Sequence, residues 1–339
     1  MKVLIIGGTG LISTAITQQL LDRGDAVTLY NRGQRALRVS GRPTVILGDR
    51  KEFAAFEARM REAGPFDAVI DMVCFQREEA ESLIRALAGR TPQVVFCSSV
   101  DVYSKPAHRY PYREDEPYGP LNAYGQGKVD CERALLASHA RGDFAVTVIR
   151  PALTYGEGGN LVHSFGRGTA YYDRMRKGKP IVVHGDGNSL WVSCHIDDVA
   201  RAFVGALGNP RAYGKAYHAT GEEWMTWNQL HAQVAEALAA PLPELVHIPS
   251  GLLASVSRRA ASCADNFQFN NILYNAAAHE DLGFRYTVPF IEGVRRTVAW
   301  LDANGRIEDS DLDPYDDRII AAWRRCGAAM ARELQGLDD

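Results

Sequence analysis

An apolar strand that runs into a glycine turn and then a helix constrains this chain more than any other feature. Lys2–Ile6 reads as the strand, Gly7-Gly8-Thr9-Gly10 as the turn, and Leu11–Asp22 as the helix. Glycines at this spacing let the backbone turn tightly and come close to a bound pyrophosphate. The helix start then offers unpaired N–H groups and the positive end of its dipole to that anion. The strand–turn–helix context makes the motif more than a glycine turn. Ser13 stands at the third glycine position, which predicts a slightly wider helix–sheet contact there without loss of binding.

The same rhythm continues. Ala26–Tyr30, Thr44–Leu47, Asp67–Asp71, Gln93–Cys97 and Ala145–Ile149 read as further strands, and helical patterns cover 52–63, 77–88 and 122–139. Near-continuous apolar strands alternating with helices indicate a buried parallel sheet with right-handed crossovers. The expected fold class is α/β, a Rossmann-like doubly wound parallel sheet with a smaller C-terminal α+β substrate lobe. The rhythm breaks after Arg150-Pro151. At 339 residues the chain exceeds one ordinary domain. The expected division is a dinucleotide domain over 1–155, a substrate lobe over 156–310, possibly threaded back onto the sheet, and a helical tail over 311–339.

Composition narrows the class. A formal net charge of −3 argues against a general nucleic-acid binder. No run of about 18 apolar residues suggests a membrane span. The six cysteines form no CxxC pair and no zinc-like cluster with histidine, so no metal is expected. Reduced, buried thiols fit a cytoplasmic protein.

Tyr124 and Lys128 stand four apart on a predicted helix and so share a face. An ammonium beside a phenol favours the phenolate, and such a phenol can exchange a proton with a substrate hydroxyl while hydride moves. Ser99 follows the fifth strand at the end where ligands bind in an open parallel sheet. Asp101 lies two residues on, as an acid for a leaving hydroxyl or as a turn cap. The second strand runs into Asn31-Arg32, where an acidic residue often accepts the adenosine ribose. NAD is the expected cofactor, with NADP left open because Arg32 could bind a 2′-phosphate. Asp49 reads equally as an acceptor for adenine or as a helix cap.

Together these motifs resemble the extended short-chain dehydrogenase/reductases, in the NAD-dependent sugar epimerase/dehydratase branch. The resemblance runs from about Met1 to Leu301 through GGTGLIS, SSVDVY, YGQGK, RPALTYGEGGN (Arg150–Asn160), GDGNSLWVSCHIDDVARA (Gly185–Ala202) and PFIEGVRRTVAWL. It implies Ser99, Asp101, Tyr124 and Lys128 as catalytic residues. It implies Gly7, Thr9, Gly10, Leu11, Ile12, Asn31, Arg32, Asp49, Arg50, Met72, Tyr124, Lys128 and Pro151 around the cofactor. The implied reaction oxidises a sugar hydroxyl to a ketone, epimerises or dehydrates next to it, and returns the hydride. Trp191 falls where nucleotide-sugar enzymes commonly place an arginine for the diphosphate, which widens the expected substrate to a nucleoside, a nucleotide sugar or a related glycoside. Ser99, Trp191, His163 and His195 are its candidate contacts, the two histidines also reading as structural. The alternatives are a net NADP-dependent reductase or dehydrogenase and, more remotely, a non-catalytic dinucleotide sensor or RNA-binding relative. Expected partners are a small sugar-containing molecule, no nucleic acid and no membrane. Helix pairs in this fold often dimerise, so a homodimer is the assembly considered.

Overall fold

A computed structural model describes residues 1–335 and Leu337. The chain forms β1 (Lys2–Ile6), α1 (Leu11–Asp22), β2 (Ala26–Asn31), β3 (Thr44–Leu47), α2 (Phe53–Ala63), β4 (Ala68–Asp71), α3 (Arg77–Leu87) and β5 (Gln93–Cys97). A 3₁₀ turn (Val100–Val102) leads to α4 (Ala123–Ala140), β6 (Ala145–Pro151) and β7 (Leu153–Tyr155). Then come α5 (Ala170–Arg176), β8 (Ile181–His184), β9 (Leu190–Trp191), β10 (Ser193–His195), α6 (Ile196–Ala206), β11 (Lys215–Ala219) and β12 (Met225–Thr226). The remainder is α7 (Trp227–Ala237), β13 (Leu245–Ile248), α8 (Ser250–Val256), α9 (Ala276–Leu282), α10 (Phe290–Ala303) and α11 (Tyr315–Glu333).

Seven strands make one parallel sheet in the order β11-β6-β5-β4-β1-β2-β3. Alternate side chains of a strand face opposite ways, and β1 shows why both faces must be covered. Val3 and Ile5 join a core with Ile16 and Leu20 of α1 and Val199 and Phe203 of α6. Leu4 and Ile6 join the opposite core with Phe56, Leu83 and Leu135 of α2, α3 and α4. The chain starts at β1, steps outward to β3, then returns to β4 on the other side. This reversal opens a crevice at the carboxyl ends of β1 and β4, the place where such sheets bind ligands.

Two compact units result. The first comprises Met1–Gly156, Val192–Glu223 and Ile272–Pro289, and it holds the seven-stranded sheet. The second comprises Glu157–Trp191, Trp224–Asn271 and Phe290–Asp339. This differs from the sequential division at 155 and 310. Strand β11 must hydrogen-bond to β6, so the chain returns to the first unit after leaving it. The C-terminal helix α11 belongs to the second unit, where Arg174 of α5 reaches Asp317 at 2.7 Å. That unit also contains the parallel pair β8–β13 and the antiparallel pair β9–β12. Among the described residues, no helix is long and apolar enough to cross a membrane.

Candidate active site

The glycine loop sits at the crevice of the first unit. Gly7 has φ +86°, and a Cβ there would fall 2.5 Å from Val73 Cγ1, so the turn accepts only glycine. Gly10 caps α1 in extended backbone and leaves the N–H groups of Leu11 and Ile12 at the helix start without an intrahelical partner. Ser13 is enclosed. Its hydroxyl accepts from the Gly10 N–H at 2.8 Å and donates to the Gly7 carbonyl at 2.7 Å, so the third-glycine substitute braces the loop. A cavity of about 440 Å³ is lined by Gly7, Thr9 and Gly10 and extends past Asn31, Arg32, Asp49 and Arg50. Asp49 does not cap α2. Its Oδ1 accepts from the Lys51 N–H at 2.9 Å within a turn, and Glu52 takes the cap position.

Arg50 is buried. It pairs with Asp71 at 3.0 Å, donates to the Glu79 carbonyl at 2.6 Å and lies over the Phe56 ring. Burial pushes the Asp71 carboxyl above its usual range despite this partner. The Arg50 Nε and Nη1 groups have no hydrogen-bond partner among the described residues.

Strands β4 and β5 and helix α4 position the chemical groups. Tyr124 begins the first turn of α4, which Asn122 caps by accepting from the Gly125 N–H at 2.9 Å. Its ring is 43% exposed, whereas Lys128 is 1% exposed. The Lys128 ammonium donates to the carbonyls of Cys74 and Cys97 at 2.8 and 2.7 Å and lies 5.8 Å from the centre of the Tyr124 ring. An ammonium has three donors, so one is left over from these two carbonyls. Ser99 is buried, and its Oγ accepts from the Asp101 N–H at 3.1 Å at the start of the 3₁₀ turn. Gly125 presses on that turn: a Cβ there would lie 2.2 Å from the Asp101 carbonyl oxygen. Ser99, Asp101, Tyr124 and Lys128 are thus gathered at one end of the sheet. Met72 is half-buried and hydrogen-bonded to the end of β1, and Pro151 is buried at the end of β6.

Beneath them lies a charged network that spacing alone did not reveal. Glu132, one turn beyond Lys128, takes both ends of Arg150 at 2.9 and 2.6 Å and the hydroxyl of Ser98. Arg150 also donates to Tyr103 Oη at 2.6 Å. His218 Nδ1 faces the Tyr274 carbonyl at 3.0 Å and must carry the proton there. Its Nε2 therefore accepts from Tyr103 Oη at 2.7 Å. Glu132 and Arg150 are both almost fully buried. Such a pair is costly to bury and costlier to break, so it fixes the helix that carries Tyr124 and Lys128 to β5 and β6.

The sequence model of the NAD dependent epimerase/dehydratase family matches residues 3–219. The chain belongs to this family. A UDP-glucose 4-epimerase of Mycolicibacterium smegmatis is 32% identical over 69% of this chain and 69% of its own. Two relatives span more of the chain at 28% identity. One is the chloroplast stem-loop binding protein of 41 kDa b of Arabidopsis thaliana, over 94% of this chain and 84% of that protein. The other is the 2′-dehydrokanamycin reductase of Streptomyces kanamyceticus, over 92% and 88%. The structure of a UDP-glucose 4-epimerase of Thermotoga maritima with UDP-glucose superimposes with a TM-score of 0.74 at 20% identity, covering 90% of this chain and 99% of that one. The Bifidobacterium longum UDP-glucose 4-epimerase, solved with NAD⁺ and UDP, superimposes with a TM-score of 0.72 at 18% identity, covering 91% and 100%.

The family is NAD-dependent, and this member's residues fit a dinucleotide. The loop leaves no room for a Cβ at Gly7, and the cavity wall holds the two unpartnered donors of Arg50. Three expected substrate contacts of this epimerase/dehydratase family member are buried. Trp191 is enclosed in the second unit, with ring centres 5.0 Å from Trp227 and 5.1 Å from Phe267. His163 is stacked on Tyr171 at 4.8 Å, and burial pushes its imidazole down to about 4. His195 is buried and caps α6, its Nδ1 accepting from the Asp197 N–H at 3.2 Å. Asp198 accepts the N–H groups of Thr287 and Val288 at 3.0 and 2.9 Å. Lys105 escaped the sequence reading. Burial pushes its ammonium down to about 8, and the charge of Asp101 opposes the shift. No group of three metal-ligating side chains occurs among the described residues.

Proposed function

We propose that the chain acts on a sugar-containing small molecule as an epimerase or dehydratase, through transient oxidation of a hydroxyl to a ketone. One observation carries this reading: Lys128 is tied to the carbonyls at the ends of β4 and β5 with its ammonium beneath the exposed Tyr124 ring. A bound nicotinamide supplies the hydride acceptor and donor. The Tyr124 phenolate, favoured by the Lys128 charge, takes the substrate's hydroxyl proton as hydride leaves and, as the phenol, gives it back when hydride returns. Ser99 orients the reacting oxygen. Asp101 protonates a leaving hydroxyl in the dehydratase form of the reaction. The substrate is a nucleoside, a nucleotide sugar or a related glycoside, since several relatives are named for UDP-glucose or dTDP-sugars.

Net reduction of a ketone, with the cofactor exchanged at each turnover, is the second reading. Asn31 favours it, because the β2 end offers no carboxylate to repel NADPH. The stem-loop binding relative does not shift the choice to RNA, because the net charge is −3 and the Tyr124–Lys128 pair is intact.

The test is turnover of a panel of nucleotide sugars and glycosides, read by mass and by cofactor absorbance, in wild type and Tyr124→Phe. Wild type is expected to convert a member of the panel with no net change of cofactor, and Tyr124→Phe to lose ~10²–10⁴-fold in rate. Stoichiometric cofactor consumption selects the reductase reading, and near-normal activity of Tyr124→Phe removes that residue's role.

A further inference from the structure

One aromatic ring at the crevice stands partly in solvent. Phe75 follows β4, is 38% exposed and lines the cavity that begins at the glycine loop. A single exposed apolar ring usually has no role. This one is held by its backbone on both sides. Its N–H donates to Glu79 Oε2 at 2.5 Å, and the same carboxylate accepts the Gln76 N–H at 3.0 Å at the start of α3. Its carbonyl oxygen meets α4 at Gly127, where a Cβ would lie 2.1 Å away. The chain therefore fixes where the ring can reach.

It reaches Lys128. The ring centre lies 4.5 Å from the ammonium nitrogen, with Phe96 at 4.9 Å and Tyr124 at 5.8 Å. All three distances fall within the range in which a ring face attracts a cation. Phe96 is wholly buried in β5 and belongs to the core beneath the sheet. Phe75 lies outside that core and covers the ammonium from the cavity side. Its ring is 6.3 Å from that of Tyr124, tilted by 42°. Two other titratable groups feel the Lys128 charge. The Asp71 carboxyl is committed to Arg50 at 3.0 Å, and burial pushes the Cys97 thiol up to about 11, which keeps it neutral.

We propose that Phe75 is a positioning residue: the face of its ring holds the Lys128 ammonium beneath the Tyr124 phenol and keeps cavity water off that charge. A charge sheltered from water acts more strongly on its neighbour than a hydrated one. Phe75 thus sets how far the ammonium favours the phenolate, without touching the reacting atoms itself. This deepens the proposed function and rests on Tyr124 as its proton carrier.

The experiment is an ultraviolet difference titration of the full chain, wild type against Tyr124→Phe. It isolates the ionisation of that one phenol and needs no substrate. The same difference is then taken with Phe75→Leu in both proteins. Leucine keeps an apolar cover and removes the ring face. The Tyr124 phenolate is expected to appear about 0.5 unit higher in pH with Phe75→Leu than in wild type. Phe75→Ala, which also admits water, should shift at least as far. The ring lies outside the core, so both variants keep the fold, which an unchanged circular dichroism spectrum checks. An unchanged Tyr124 ionisation in Phe75→Leu overturns the role of the ring, whatever Phe75→Ala does, and leaves the proposed function standing. The expected shift in a chain that converts no sugar supports the role of Phe75 and removes the proposed function alone.

Discussion

Two residues beyond Tyr103, burial pushes the Lys105 ammonium down to about 8 against the pull of Asp101. The group is charged at neutral pH in both the folded and the unfolded chain, so its desolvation costs folding free energy. The depressed folded value means that this cost is present at neutral pH and is relieved as pH rises from about 8 to 10.5. Replacing Lys105 with Met should therefore stabilise the chain by about 1–2 kcal/mol at neutral pH, a figure discounted for partial solvent contact. The advantage should vanish toward pH ~10 in urea denaturation. An equal stability of the two proteins at neutral pH would show that the ammonium is solvated. A charge kept at a cost within reach of Asp101 is a pattern that clusters at functional sites. The placement of Ser99 and Asp101 just after β5, and of Tyr124 and Lys128 one turn apart on α4, was legible from strand-end position and helical spacing. Lys105 was not, because its shift comes from burial in a long loop with no periodic pattern. The packing of Trp191 against Trp227 and Phe267, and of His163 against Tyr171, was not legible either, because it joins residues distant in the chain.

The helix α4 owes its place to what it lacks. A Cβ on Gly125 would lie 2.2 Å from the Asp101 carbonyl oxygen, and one on Gly127 would lie 2.1 Å from the Phe75 carbonyl oxygen. Both contacts are with backbone, so neither can be relieved by turning a side chain. The sequence YGQGK thus encodes two close backbone approaches at the glycines between Tyr124 and Lys128. Helix propensity and packing now predict opposite signs. Gly127→Ala in a free helix would gain about 1 kcal/mol. Here it should lose about 1–3 kcal/mol as α4 is pushed outward. Rate should fall at least about tenfold with it, because a small displacement of positioned groups is enough. A stabilised, fully active Gly127→Ala protein would contradict the close approach. The strands of the large sheet were readable because they are apolar on both faces, as in β4, where Ala68–Asp71 is buried throughout. The pairs β7–β10, β8–β13 and β9–β12 were not assigned, since each joins only two to four residues from distant parts of the chain.

At the scale of the molecule, the second unit is made sensitive to acid by its histidines. Burial pushes His163 and His184 down to about 4 and His231 to about 3. In the unfolded chain such groups take up protons near pH 6.5. Their folded values are depressed, so the stability they allow is complete above about 6.5 and is lost as pH falls toward 4. Urea denaturation at about pH 5 should show a loss of several kcal/mol relative to pH 7, and a flat profile would mean that these imidazoles protonate freely in the fold. The first unit raises a different matter, one of order in time. Strand β6 is complete at Pro151, yet its neighbour β11 begins at Lys215, after the chain has passed through part of the second unit. On a ribosome working at ~5–20 residues per second, the nascent sheet therefore waits several seconds with one edge open. During that wait the unpaired N–H and C=O groups of β6 are a template for any passing strand. Synthesis rate and chaperone supply, rather than final stability, then govern how much of this protein a cell recovers folded.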